Sequence, residues 1–525
     1  MEKVFRKGIE CLFSATMTVI AILLLFFSKT GFAAKKTFLL PNWAFALLGV
    51  GAALVLMLLF RRWLPEERRD RERQTDRIVG FVTLGLFAAQ VYICLNILFA
   101  SNWDPGIVWD AALPRARGDI SGMEAIAHYF SIYPNNILLL LLNTGCYRLN
   151  HALGIFGRNY SRMVPILLDC ASISAACWLV YKELSLLTER RYALLGFVCC
   201  VALAGLSPWM VIFYSDSLAI VFPILTLYLY TKACLKETGK KSGMQKALAL
   251  LVCGVGYFIK PQCMIVVIAI LAIELVKALQ TRGIEALLGV GAMVAVPLLC
   301  VSLISPLLTY AYESKGVPLD AEMKFGMSHF LMMGMKEKCG GAYSDEDLYF
   351  SVAFDTAKER SAGELREAGA RVRAMGPVGL GRHLCKKLLT VYHDGTFAWG
   401  VEGSWYTKIV ENINTRMAPF LQSVYYPDGS RQEVFKTGAQ AFWIFVLLFT
   451  TVSGFMSLPT KKLAVVHVLK LTVVGFTLFE LLFEVRARYV FLYVPFFCVL
   501  AALGFGALIN RLRLSGESFA PRLRL

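Results

Sequence analysis

VGFVTLGLFAAQVYICLNILFA, residues 79–100, runs within one residue into NWDPGIVWDAALPRARGDISGMEAIAHYFSIYPNN, residues 102–136. The first stretch has the length and apolarity of a helix that crosses a bilayer, which takes about 20 residues. The second places three carboxylates, Asp104, Asp110 and Asp119, just beyond it. An ionised carboxylate beside hydrocarbon is costly. Such a cluster points to a general base or charge stabiliser at a membrane surface, or more plainly to a solvated loop.

The rest of the chain supports the membrane reading. Of 525 residues 57% are hydrophobic and 17% charged, and the apolar ones come in long runs, as in a polytopic membrane protein. The formal charge of +17 sits in short segments between those runs, which marks cytoplasmic loops and argues against nucleic acid as a partner. Six histidines are scattered without metal-ligand spacing. Most of the 14 cysteines lie in apolar runs and none forms a CxxC pair, so they read as small core residues.

Run lengths predict spans at about 10–32, 41–60, 79–100, 163–183, 192–208, 216–234, 245–259, 262–279, 284–305, 438–457, 463–483 and 487–509. RRWLPEERRDRERQTDR, residues 61–77, has seven arginines against five acids and is assigned to the cytoplasm. Asp104 then emerges outside. Ile137 to Phe156, interrupted by Asn143, Arg148, Asn150 and His151, reads as an amphipathic helix at the outer interface. The fold expected is an all-α polytopic bundle of about 12 spans with juxtamembrane helices and a mixed extracytoplasmic domain. Five segments follow: N-terminal spans 1–100, a first outer loop 101–162, a central bundle 163–305, the extracytoplasmic domain 306–437, and C-terminal spans with a basic tail 438–525. Both termini are expected in the cytoplasm.

This topology sends the unusual polar residues to one side. Asp104, Asp110, Tyr133, Asn136, Asp216, Lys260, Glu484, Arg486 and Arg488 all flank helix ends there. Carboxylates can act on a sugar hydroxyl, and Lys and Arg can hold a phosphate. Each also has a plain structural reading: Asp216 as a helix N-cap, Lys260 as a snorkelling cation, Arg486 and Arg488 as partners of Glu484. Asp169 and Glu480, inside spans, are expected to pair within the bundle. FGMSHFLMMGM, residues 325–335, reads as core packing, and HDGTFAWG, residues 393–400, as loop structure near the site.

The order of these motifs resembles the GT-C superfamily of polyprenyl-phosphate-sugar glycosyltransferases, close to protein O-mannosyltransferases and aminoarabinose transferases. The pattern covers about residues 79–510: a carboxylate after an early span, Tyr133-Pro-Asn-Asn136, Tyr214-Ser-Asp216, Lys260-Pro261, a long loop, and Glu484-Val-Arg-Ala-Arg488-Tyr489. The resemblance implies a GT-C bundle in the cell membrane that transfers a sugar, with inversion, from a polyprenyl phosphate to an envelope polymer, glycolipid or protein. Asp104 would be the base. It is followed by Pro105 where the family often has a second acid, which leaves Asp110 as a rival. Lys260, Arg486 and Arg488 would bind the donor phosphate, with Tyr133, Asn136, Asp216 and Glu484 lining the pocket. No cofactor is required, and a divalent cation is permitted. Two other classes stand beside this one: a transporter or lipid-linked saccharide flippase, against which the absence of an internal repeat counts, and a membrane anchor for an assembly complex.

Overall fold

The computed structural model describes residues 2–27, 38–63, 69–119, 123–157, 160–237, 239–281, 283–314, 317–402, 406–409, 416–455 and 462–519. The expected end of the first span (28–32), the middle of the basic loop (64–68) and the last residues of the tail (520–525) lie outside them.

Hydrocarbon offers backbone N–H and C=O groups no partner, so each long apolar run closes its hydrogen bonds within a helix. The first three are α1 (Glu2–Ile22), α2 (Asn42–Trp63) and α3 (Arg69–Asn96). Strand β1 (Phe99–Ser101), α4 (Asp104–Arg117), α5 (Met123–Ile132) and α6 (Ile137–Leu153) follow. The central bundle comprises α7 (Met163–Leu187), α8 (Arg190–Cys200), the short α9 (Ser215–Ala219), α10 (Val221–Leu235), α11 (Gly239–Tyr257), α12 (Met264–Thr281) and α13 (Ile284–Glu313). A polar insert holds α14 (Met327–Gly334), α15 (Asp345–Val352), α16 (Ala357–Tyr392), β2 (Tyr406–Ile409) and α17 (Ala418–Tyr425). Three long helices close the chain: α18 (Gln432–Ser453), α19 (Leu463–Leu482) and α20 (Val494–Phe519).

Among the described residues, ten helices are long and apolar enough to cross a membrane. They match ten of the twelve expected spans. The other two, α8 with the turn after it and α11, are shorter or begin with charged residues, but they also run from one end of the bundle to the other. Arg190 at the start of α8 bonds Asp76 of α3, whereas Tyr214 beyond it bonds Asp104. Lys246 early in α11 bonds Glu274 of α12, and Lys260 just past it bonds Asp216. Helix α6, 17 residues long, is not among the ten; it packs on α4 and exposes Leu149 and Leu153.

Several bounds differ from expectation: α3 ends at Asn96 and not at 100, and α18 spans Gln432–Ser453 and not 438–457. Helix α13 continues to Glu313 through Pro297 and Pro306, beyond the expected end at 305. The insert is mainly helical, and its strand β2 pairs antiparallel with β1, Phe99 facing Ile409. Its longest helix, α16, is two helices joined at Gly376, whose φ of 60° breaks the run before Pro377. The Met-rich α14 buries Met332 and Met333, as core packing requires. At the centre lies α20, where Val494 to Ala502 are all almost fully buried.

Candidate functional site

The site is built at the end of the bundle where α3 finishes. Trp103 is the extended residue before α4, and Asp104 opens the helix with Pro105 behind it. Pro suits a first turn, where its missing N–H leaves no bond unmade, and an acid there meets the positive end of the helix dipole. The turn from β1 is tight: a Cβ on Gly106 would lie 2.1 Å from the Ser101 carbonyl oxygen, so only glycine fits. This fixes Asp104, half-buried, where the Tyr214 hydroxyl donates to its Oδ2 at 3.0 Å.

Aromatic rings wall the carboxylate. Trp103 meets Tyr214 edge-on at 5.3 Å, and Tyr133 packs against Tyr129 and Phe325. Burial and the Asp104 charge together push the Tyr129, Tyr133 and Tyr214 phenols well above their ordinary range, so all three stay protonated. Asn136 is buried and donates to the Tyr129 hydroxyl at 2.7 Å. It braces the Tyr129 ring of that wall.

The cations arrive from distant segments. Lys260, at the turn between α11 and α12, bonds Asp216 at 2.6 Å, with Asp216 1% and Lys260 4% exposed. Lys260 therefore does not snorkel. Asp216 sits inside α9, whose N-cap is Tyr214, so the capping role is not its own. Arg488, in the 3-10 segment Ala487–Tyr493, lies 3.3 Å from Asp216 and stacks over Trp103 at 4.2 Å. Lys260 and Arg488 also flank the Tyr489 ring, at 4.5 and 5.4 Å. Arg486 pairs with Glu484 at 3.1 Å. Burial works against its charge, but Glu402 and Glu484 outweigh it and hold the guanidinium above its ordinary value.

Thus Asp104, Asp216, Lys260, Glu484, Arg486 and Arg488 converge, with Tyr133 at the wall. Asp110 does not join them. It lies on the exposed side of α4 and its nearest cation is Arg162 at 3.8 Å. On a helix, six residues turn the side chain roughly 120° from Asp104. Asp169 and Glu480 do not pair as expected: both are buried, and among the described residues no cation lies within ion-pair distance of either. Among those residues, no three His, Cys, Asp or Glu side chains form a group that could hold a metal ion.

Sequence reading missed Glu402. It stands at the end of a loop locked by Asp394, which accepts from the backbone N–H groups of Thr396 and Ala398. Phe397 and Ala398 hold φ of 56° and 60°, a costly conformation for residues with side chains. Phe397 and Trp399 are fully buried, and Trp209 donates to the Thr396 and Phe397 carbonyls. The β1–β2 ribbon ties this loop to the strand that precedes Asp104. The loop presents Glu402 to Arg486 at 3.5 Å and to Arg488 at 3.9 Å. Burial pushes its carboxyl up, against the pull of both arginines.

A clamp holds the 484–488 segment. Lys387 of α16 donates to the carbonyls of Gly334, Leu481 and Phe483 at 3.0, 2.9 and 2.6 Å, and His383 shares the Gly334 oxygen. Burial pushes the Lys387 ammonium down to about 8. Gly334 packs so close that a Cβ would meet the Phe483 backbone at 2.5 Å.

An α-helical bundle of many crossings that gathers acids and cations at one end defines a multi-pass integral membrane protein. Residues 3–508 match a family model described as conserved hypothetical integral membrane protein, and the chain belongs to that family. No curated protein and no solved structure matches it.

Proposed function

We propose that the protein is a membrane glycosyltransferase of the GT-C type, which moves a sugar from a polyprenyl phosphate to an acceptor hydroxyl on the outer face. Both termini then lie in the cytoplasm. One observation carries the reading: a half-buried acid, Asp104, is fixed by Tyr214, its neighbour Trp103 lies under the Arg488 guanidinium, and Arg488 and Lys260 share Asp216. In this reaction Asp104 takes the proton of the acceptor hydroxyl as its oxygen bonds the anomeric carbon. The bond from that carbon to the phosphate oxygen breaks, and the lipid phosphate leaves with the electron pair. Attack opposite the leaving group inverts the anomeric centre. Fixed cations at the leaving oxygens stabilise the charge that develops there. Asp110, exposed on another face of α4, has no part in it.

The test uses full-length protein in proteoliposomes supplied with polyprenyl-phosphate sugars and an acceptor extract. Release of lipid phosphate by wild type, and its loss in Asp104→Asn with donor binding retained, supports the assignment. Equal turnover in both removes Asp104 from the mechanism.

A second reading, a transporter or flippase, draws on Asp169, Glu183 and Glu480, acids buried within spans. It predicts passage of labelled lipid-linked sugar across the bilayer with the sugar–phosphate bond intact.

A further inference from the structure

The cations of the site are not free. Lys260 and Arg488 share Asp216, and Arg486 and Arg488 share Glu402. The two carboxylates are held very differently. Asp216 is 1% exposed and bonded by Lys260 at 2.6 Å. Glu402 has only long pairs, at 3.5 and 3.9 Å, and its Oε2 is buried without a hydrogen bond. The Nε of Arg488, a residue more than nine-tenths buried, is likewise without one. That Nε faces Asp216 Oδ2 at 3.3 Å, and it is Nη1 that lies 3.9 Å from Glu402 Oε2; a buried polar atom left unbonded costs about 1–3 kcal/mol. Glu402 accepts one long hydrogen bond, from Arg486 Nη1 at 3.5 Å; a phosphate oxygen that reached these guanidinium groups would make shorter ones.

We infer that Glu402 is the resident occupant of the phosphate site: an incoming phosphodiester anion takes Arg486 and Arg488 from it, and the displaced carboxylate takes a proton from solvent. This rests on reading the cluster as a donor-phosphate site. The groups facing Glu402 are Arg486, Arg488 and Glu484, with Tyr489 and Tyr343 against the arginines. Once the arginines turn to the ligand, burial and Glu484 remain, and both favour the protonated carboxyl. The loop behind it is locked through Asp394, so the exchange is a side-chain rotation and not a loop movement.

The test is calorimetric titration of the full-length protein in nanodiscs with farnesyl methyl phosphate, a diester that stays singly charged across the neutral range. Buffers of different ionisation heat report the protons exchanged. The expected result is uptake approaching one proton per anion, with affinity falling by up to about tenfold per pH unit as pH rises. Arg488→Met loses the binding. Glu402→Gln binds with no uptake and with an affinity that does not change with pH. Should that variant fail to fold, the wild-type buffer comparison stands alone, and Glu402→Asp keeps the uptake. Anion binding without proton exchange, or unchanged uptake in Glu402→Gln, overturns the inference and leaves the phosphate site standing. No binding by wild type or Glu402→Gln overturns both.

Discussion

The bundle carries ionic clusters at both ends, and they are finished differently. At the end where α3 begins, Asp76 accepts from Tyr181, Lys182 and Arg190 at 2.7–2.9 Å, and both of its oxygens are engaged. Glu274 nearby accepts from Tyr230, Lys246 and Lys277. These groups are partly exposed and fully bonded, as charges that only brace a fold are expected to be. At the Asp104 end, Glu402 Oε2 is buried without a hydrogen bond, and Arg488 Nε and Asp216 Oδ2 face each other as an ion pair at 3.3 Å with no hydrogen bond between them. The difference is how these particular carboxylates are held: Asp76 and Glu274 by short bonds, Glu402 by long ones. The contrast holds for Asp76 and Glu274 against Glu402, while Glu183 Oε2 and Arg191 Nε, each one residue from a partner of Asp76, are also buried without a hydrogen bond.

The comparison breaks most readily at the two aspartates. Asp104→Asn should cost about 10²–10⁴ in rate if Asp104 is the base, while Asp76→Asn leaves lipid-phosphate release unchanged; a matching loss in both would erase the distinction. The lysines come next. Lys260→Met leaves Asp216 buried without its closest partner and should lower stability by about 3 kcal/mol, read from thermal unfolding in detergent. Glycines sharpen the point at smaller cost. Gly106→Ala pushes a Cβ into the Ser101 carbonyl and should reduce turnover through displacement of Asp104, whereas Gly85→Ala, with open space at its Cβ, should be silent.

A pH series tests the clamp beside the site. The Lys387 ammonium in the fold sits at about 8, below its ordinary 10.5. Between those values the unfolded chain holds more protons than the folded one, so this group makes stability rise with pH through that window. Lys387→Met should remove that rise from denaturation curves. The smallest effect is expected from Lys182→Met, whose pair with Asp76 is a quarter to a third exposed. It should cost less than about 1 kcal/mol and leave turnover intact.

Much of this was legible in the chain. Spans follow from run length, and residues flanking span ends could be assigned to one face by counting crossings, which is why Asp104, Asp216, Lys260, Arg486 and Arg488 were grouped. Asp110 falls outside the cluster because 104–117 is a helix and not the loop its polar residues suggest. The Asp-Pro pair that opens a helix was its one local signal, and helical rotation then separates Asp110 from Asp104. Glu402 was invisible for another reason. Its place depends on two residues held at positive φ and on a ribbon joining segments some 300 positions apart. Neither leaves a periodic trace. Asp169 and Glu480 were expected to find partners because isolated buried acids are costly; run length says nothing about which neighbour a helix face will meet.

The Lys387 clamp has a consequence for anyone dividing this chain into modules. One ammonium gathers the frayed ends of two helices, and the arginines hang directly from one of them. The insert is therefore a keystone and not a cap set on a self-sufficient bundle. Excising 357–392 would leave a membrane part whose guanidinium groups have lost their aim, however well its helices still crossed the lipid.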